Sequence, residues 1–523
     1  MGKILIAVLI FVAALANAAP GATAASCATL NIRNGHSEIQ SWASRPALDG
    51  CITQAEASAL TLADTKRHDV SPFLASVDLA GAGLSRLTSV RFTVTPKLGA
   101  ASKPVNVTYS NAYLTRSGYL TATSVRVPVF GLYAGSLNHV VIDARFQDGS
   151  STTTSTDIPT WLLNDGLFDR PVILVPRTPG SSLGFDYFYV KTQTGYPVVI
   201  DTDGEVRWWM PGEADSMSSH FEEGEFLMGD PESMDLKGVT LDGRERELAL
   251  RAPYTGFHHN FDGGKTGVLA EVNLETERVD NIESILVEMT DEGRVIKQWN
   301  LARIIGDYMR SQGDDAAAFV RPGFDWFHMN AATYDASDDS LIVSSRENFV
   351  IKLDYRTGAI RWILGDPAKY WHLFPSLRAK SLAIEEGSLA PIGQHAVSIT
   401  SDGHLMVFNN GFQSATQPPG APAGDRRTYS AVSAYEIDPM KRTARDVRRF
   451  DYGGTVFSKI CSSAYEAREK SLLVNYAVAE GRYTRIVGIN DANQVVFDFR
   501  YDTRSCSTSW NAVPIAFDGM TFQ

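Results

Sequence analysis

The sequence predicts an all-β protein, an N-terminal β-sandwich followed by a six-bladed β-propeller. Between residues 70 and 160, short runs such as Ser89-Val90-Arg91-Phe92-Thr93-Val94 alternate with the period of two that a half-buried strand needs, and no helical period competes. Beyond Leu163 a turn followed by a hydrophobic strand recurs six times, the signature of a repeat architecture. The 42 glycines against 23 prolines supply the tight turns of such a chain. A length of 523 residues, with 44% hydrophobic and 21% charged residues, suffices for packed domains and excludes wholesale disorder.

Residues 1–18 read as a signal peptide. Lys3 gives a positive start, an apolar run extends from Ile4 to Leu15, and Ala16-Asn17-Ala18 is a small-x-small cleavage site. The expected location is therefore exported, periplasmic or secreted, with an uncleaved anchor as the alternative. No later stretch approaches the roughly 20 apolar residues of a membrane helix, so no membrane anchor is expected beyond it. In an oxidising compartment the 4 cysteines suggest two local bridges, Cys27–Cys51 and Cys461–Cys506. With 60 Asp+Glu against 48 Lys+Arg, a net charge of −12 argues against nucleic acid as a partner.

The sandwich is expected over residues 19–162 and the propeller over 163–523. The propeller unit is clearest in Asp201-Thr202-Asp203-Gly204-Glu205-Val206-Arg207-Trp208-Trp209. It returns at 241–244, 290–296 and 354–362, and more loosely at 437–438 and 489–491. These turn residues suit a hairpin between the third and outer strands of a four-stranded blade. The uneven spacing demands inserted loops, expected at 367–386 and 416–428; seven blades or an irregular sandwich array are the alternatives.

A second element recurs upstream of each turn. Phe257-His258-His259-Asn260, Trp326-Phe327-His328-Met329-Asn330 and Gly393-Gln394-His395-Ala396 each precede a hydrophobic strand, and Ile460-Cys461-Ser462 takes the corresponding place in the next repeat. The start of each innermost strand lies at the mouth of a propeller's central channel, so matched positions converge on one axis. Converging histidines can be structural, can bind a metal, or can handle an anion beside a nucleophile. Arg346, a planar cationic donor, and Asn330, a neutral one, describe a site for an oxyanion better than for a divalent cation. No Asp or Glu stands in the histidine pattern.

These residues resemble the bacterial aryl sulfotransferases that work without a nucleotide sulfate donor. The resemblance lies in Asp325-Trp326-Phe327-His328-Met329-Asn330, Ser344-Ser345-Arg346, Trp362-Ile363-Leu364-Gly365-Asp366, Gly393-Gln394-His395 and Asn409-Asn410-Gly411. It implies a sandwich-plus-propeller fold and a ping-pong transfer of a sulfuryl group from a phenolic sulfate to a second phenol. It also implies no metal, no cofactor and a homodimer. His395 matches the family's transiently sulfated histidine. His328, Asn330 and Arg346 match its sulfuryl-binding groups, as does one of the pair His258 and His259, with His258 favoured.

Phe257, Trp326 and Phe327, beside the histidines, are candidates for stacking the substrate ring, although an aromatic in a strand ordinarily serves the core. Two departures from the family stand out. Residues 366–394 lack a cysteine pair, so the loop over the site is held by other means, and Glu347-Asn348 follows the arginine, which bears on acceptor preference. The competing functions are a non-catalytic binding propeller and a metallo-hydrolase built on the same histidines.

Overall fold

The computed structural model describes residues 31–33, 36–38 and 59–523, except 170, 213, 251, 252, 277 and 278. The signal peptide and the Cys27–Cys51 pairing lie outside these residues.

The first domain packs a three-stranded sheet (Thr61–Arg67, Leu74–Ala80, Val125–Phe130) against a five-stranded one. The larger sheet is built on Leu87–Val94, Val105–Ser110, Leu137–Phe146 and Ser151–Pro159. The alternation in Leu87–Val94 does what the sequence pattern requires: Val90, Phe92 and Val94 are fully buried, while Thr88 and Arg91 face solvent. The fifth strand is Met520–Phe522, which pairs in parallel with Val105–Ser110. The expected boundary gave these residues to the propeller. Phe522 instead stacks on Tyr109 at 5.2 Å and packs against Tyr113, an apolar anchor that draws the segment back to the sandwich.

Six sheets follow among the described residues, four of four strands and two of five, antiparallel except where Ala383–Ile384 pairs in parallel with Thr443–Phe450. Their innermost strands are Ser218–Glu222, Tyr254–Gly263, Met329–Asp335, His395–Ile399, Ser463–Glu466 and Asn511–Ile515. Each of these packs against the next in that order. Asn511–Ile515 pairs with Tyr187–Lys191, so one sheet contains both ends of the propeller segment and closes the ring.

All six turns singled out in the sequence join the third strand of a sheet to its fourth, which is the outer strand in the four-stranded sheets. Each carries one residue in the left-handed region, namely Gly204, Gly243, Gly293, Gly358, Arg442 and Asn493. Glycine takes that conformation without strain, which explains the Asp-Gly and Thr-Gly signature. The expected loop at 367–386 holds two short helical turns, Tyr370–Leu373 and Pro375–Arg378. An amphipathic helix at Leu301–Ser311, capped by Asn300 through a 2.9 Å bond to the Arg303 N–H, is an insertion that the strand repeat does not announce.

Sandwich and propeller share one core, in which Tyr187, Trp208, Phe226 and Phe517 join the sandwich residues. Arg207 fixes the junction. It is fully buried, lies 3.0 Å from Asp201, donates to the Gly131 carbonyl at 2.6 Å and stacks 3.6 Å from the Tyr133 ring.

Cys461 and Cys506 form the expected disulfide, across a sequence separation of 45. From loop entropy alone, replacing both by serine is expected to cost about 4 kcal/mol, read as a lower midpoint in urea unfolding.

Candidate active site

The first three histidine-bearing segments share a backbone device. His259, His328 and Ala396 have φ of 58°, 51° and 54°, and the pairing of each inner strand with its neighbour slips beside them. Cys461 and Ser462 continue the pattern at 52° and 82°. A left-handed residue inside a strand is strained, and the bulge it creates swings side chains out of the sheet's alternation. Histidines from three sheets meet as a result.

His258 Nδ1 lies 3.0 Å from His259 Nδ1, and His259 Nε2 lies 3.2 Å from His328 Nε2. His328 Nδ1 faces two carboxylates, Glu283 at 2.8 Å and Asp325 at 2.5 Å. Burial disfavours a charged His328, but the two carboxylates prevail and push its pKa up to about 10. Burial would likewise raise Glu283, and the imidazoles around it hold it well below the carboxylate range instead. His258 and His259 are lowered, chiefly by burial. His328 is therefore the charged member of a row whose other two are neutral.

His395 is set differently. It is 4% exposed, and burial, aided by Arg346, takes its pKa down to about 3. Its Nδ1 lies 3.0 Å from the Gly393 carbonyl and 2.9 Å from Asn410 Oδ1. The Asn410 amide donates to the carbonyls of Ser458 and Cys461 at 2.9 and 3.0 Å, which fixes its oxygen toward the histidine. Nδ1 must then carry the proton, and Nε2 keeps its lone pair.

Other groups of the histidine-bearing segments and of Arg346, which acts electrostatically on His395, have unspent bonding capacity. Arg346 Nε and His258 Nε2 are buried without a hydrogen-bond partner. Asn330 donates one N–H to the Gln394 carbonyl at 2.8 Å, tying the His328 segment to the His395 segment. Buried polar atoms left unpaired are rare and mark places built to receive something polar.

Arg346 is 8% exposed and paired with Glu347, which is fully buried. The other Glu347 oxygen accepts from Ser414 Oγ and from the N–H groups of Ala415 and Thr416, the latter two at 2.7 and 2.9 Å. Glu347 is thus a structural clamp between the arginine and the loop above it, so its presence says little about the acceptor. The loop lacking the cysteine pair is held by Lys369, which donates to the Arg346 carbonyl at 3.1 Å, and by Asp366, which accepts from Asp425 N–H at 2.6 Å.

Two further expectations need correcting. Phe257, Trp326 and Phe327 are at most 2% exposed and belong to hydrophobic cores between sheets, so they are not a ring platform. The aromatic residue beside the histidines is Trp510, 5.2 Å from His259 between ring centres. Carboxylates also stand among the histidines, contrary to the sequence pattern. Ligand atoms of His259, Glu283 and His328 lie within 4.8 Å of one another, as do those of His258, His259 and Glu271. In the first group His328 turns Nδ1 to Glu283 and Nε2 to His259, so the three do not aim at one point. Asp325 was available to sequence reasoning, three residues before His328. Glu271 and Glu283 were not, because they come from the second and third strands of their sheet.

A family model described as Arylsulfotransferase (ASST) matches residues 172–511, and one described as Arylsulfotransferase Ig-like domain matches 68–160. The chain belongs to the arylsulfotransferase family. The arylsulfate sulfotransferase AssT of Escherichia coli O6:H1 (strain CFT073) is 26% identical over 324 residues, covering 49% of this chain and 52% of that protein. The AssT of Lelliottia amnigena is 24% identical over 349 residues, covering 54% and 57%. The matched region thus spans about half the length of these curated arylsulfotransferase relatives. The β-propeller domain of Myceliophteria thermophila Cps50 (Swd1) aligns at 13% identity and a TM-score of 0.31, covering 64% of this chain and 100% of that one, too remote to bear on the site. No helix among the described residues is long and apolar enough to cross a membrane.

The Glu347 clamp has a measurable signature. Burial raises its pKa, but Arg346 and the Ser414 and Thr416 donors overcome this and bring it down to about 2, from an ordinary 4.5. A depressed carboxylate stabilises the fold above its unfolded pKa and loses that contribution as pH falls toward the folded value. Urea unfolding should therefore show wild type losing more stability than Glu347→Gln between about pH 5 and pH 2.5, with the two curves converging at the acid end.

Proposed function

We propose that this protein transfers a sulfuryl group from a phenolic sulfate ester to another phenol, through a sulfated intermediate on His395. The observation that carries this reading is the fixed tautomer of His395. A buried, neutral imidazole offers its Nε2 lone pair beside a buried arginine. In the first half-reaction Nε2 bonds to sulfur while the S–O bond to the aryl oxygen breaks, and the phenolate leaves and is protonated. In the second half-reaction the acceptor phenol loses its proton, its oxygen bonds to sulfur, and the N–S bond returns its electron pair to His395.

The transition state of such a transfer is loose, with charge on the sulfuryl oxygens, so catalysis is mainly positioning and oxyanion stabilisation. Arg346, the His258 N–H and the second N–H of Asn330 are the donors for those oxygens, and cationic His328, whose own N–H groups are engaged, adds positive charge. Family membership supports this activity class. Export rests on the first eighteen residues, and a homodimer on the resemblance alone.

The metallo-hydrolase reading gains support from the carboxylates beside the histidines. Metal analysis of the purified protein separates the two: stoichiometric zinc or copper retained through dialysis would favour the hydrolase.

With 4-nitrophenyl sulfate as donor and phenol as acceptor, and no nucleotide present, nitrophenol release should depend on phenol and vanish in His395→Ala. Release indifferent to phenol would indicate a sulfatase, and none from folded wild type a binding propeller. Arg346→Ala should lose roughly 100- to 1,000-fold in kcat, the usual cost of one oxyanion donor.

A further inference from the structure

The row of imidazoles has a direction, set from one end. His328 Nδ1–H donates to Asp325, and Glu283 pairs with the same nitrogen at 2.8 Å. His328 Nε2–H then donates to His259 Nε2, and His259 Nδ1–H to His258 Nδ1, which leaves the buried Nε2–H of His258 without a partner. Every ring has one consistent tautomer, and the order reverses if a single proton hops along the row. Beyond His258 lies Glu271, whose Oε1 is buried and unpaired and whose pKa burial raises well above the ordinary range.

The ping-pong scheme creates a need for such a row. The leaving phenolate takes up a proton before the acceptor phenol has arrived to give one. The protein must lend that proton for the lifetime of the sulfated intermediate and recover it afterwards. His395 cannot lend it, because its one proton is committed to Gly393 and Asn410.

We propose that His328, His259 and His258 form a proton relay, oriented by Glu283 and Asp325, that lends a proton to the departing phenolate and regains it from the incoming phenol. The inference rests on the sulfuryl-transfer reading. In the first half-reaction the S–O bond breaks, the aryl oxygen takes the proton and the row is left one proton poorer. In the second, the acceptor O–H gives its proton to the row as its oxygen bonds to sulfur. Glu283 and Asp325 are positioning residues, acting through His328.

Leaving-group basicity tests this. 4-Nitrophenolate departs readily without a proton, whereas unsubstituted phenolate, more basic, needs one. Glu283→Gln should lose activity with both donors, but the ratio of kcat/KM for 4-nitrophenyl sulfate to that for phenyl sulfate should rise roughly 100-fold, the scale of general acid catalysis. Glu283→Asp, which restores a carboxylate, should recover part of the ratio. If Glu283→Gln does not fold, Asp325→Asn, at a partly exposed position, gives the same readout. An equal loss with both donors in folded variants, or none, would overturn the relay and leave the transferase intact. Failure of wild type to turn over either donor would instead overturn the sulfuryl-transfer reading.

Discussion

Burying cations at the mouth of a protein channel is costly, and the site depends on how that cost is met. Arg346 stands beside Glu347, Lys369 beside Arg346 and within reach of Glu347 and Asp366, and His328 against Glu283 and Asp325. Removing one partner from such a buried pair typically costs about 3–5 kcal/mol, because the other charge is stranded. Each carboxylate also does local work. Glu347 gathers the N–H groups of Ala415 and Thr416, so the arginine, the loop above it and the strand behind it move as one body. Charge compensation and loop placement are the same bonds, which explains how the site dispenses with a disulfide in residues 366–394.

The sheets supply the other half of the constraint. Strands that alternate strictly would send consecutive side chains to opposite faces, leaving one of His258 and His259 in the core. The left-handed residue at His259 breaks the alternation, and both imidazoles stay together, their rings 5.2 Å apart. The same device at His328 and Ala396 serves the other sheets. Backbone strain at these positions is tolerable because flanking residues such as Phe257 and Phe327 are locked in the cores between sheets. Their burial makes them the foundation of the histidine arrangement, although they touch no ring of a substrate.

This division explains what the sequence could and could not reveal. The third-to-fourth turns were legible because left-handed backbone selects Gly, Asn or a short polar neighbour, and that demand repeats with each sheet. His328, His395 and Arg346 were legible because they sit at matched repeat positions or close by. Glu271 and Glu283 were illegible, since they lie on second and third strands where the repeat carries no special residue. Phe257, Trp326 and Phe327 were misread because proximity in sequence to a functional histidine says nothing about which side of the bulge a ring occupies. Trp510 reaches His259 only through the closure of the ring, at the far end of the chain. The return of Met520–Phe522 to the sandwich was hidden for a similar reason: a three-residue strand has no period to detect.

In the proposed sulfuryl transfer, placing neutral His395 and charged His328 within electrostatic reach of each other answers a chemical conflict. A nucleophile needs a free lone pair, and a leaving group needs a proton, yet one bulk pH serves both. Identical side chains can be driven apart only by their surroundings. His395 is given deep burial and a cationic neighbour in Arg346, which favour the neutral form and outweigh its bonds to Asn410 and Gly393; His328 is given two carboxylates, which favour the charged one. The cation at His328 then lowers the proton affinity of His395 further, so each assignment reinforces the other. The separation is a property of the pair, and on the His328 side it originates in Glu283 and Asp325, the two acids set against that ring.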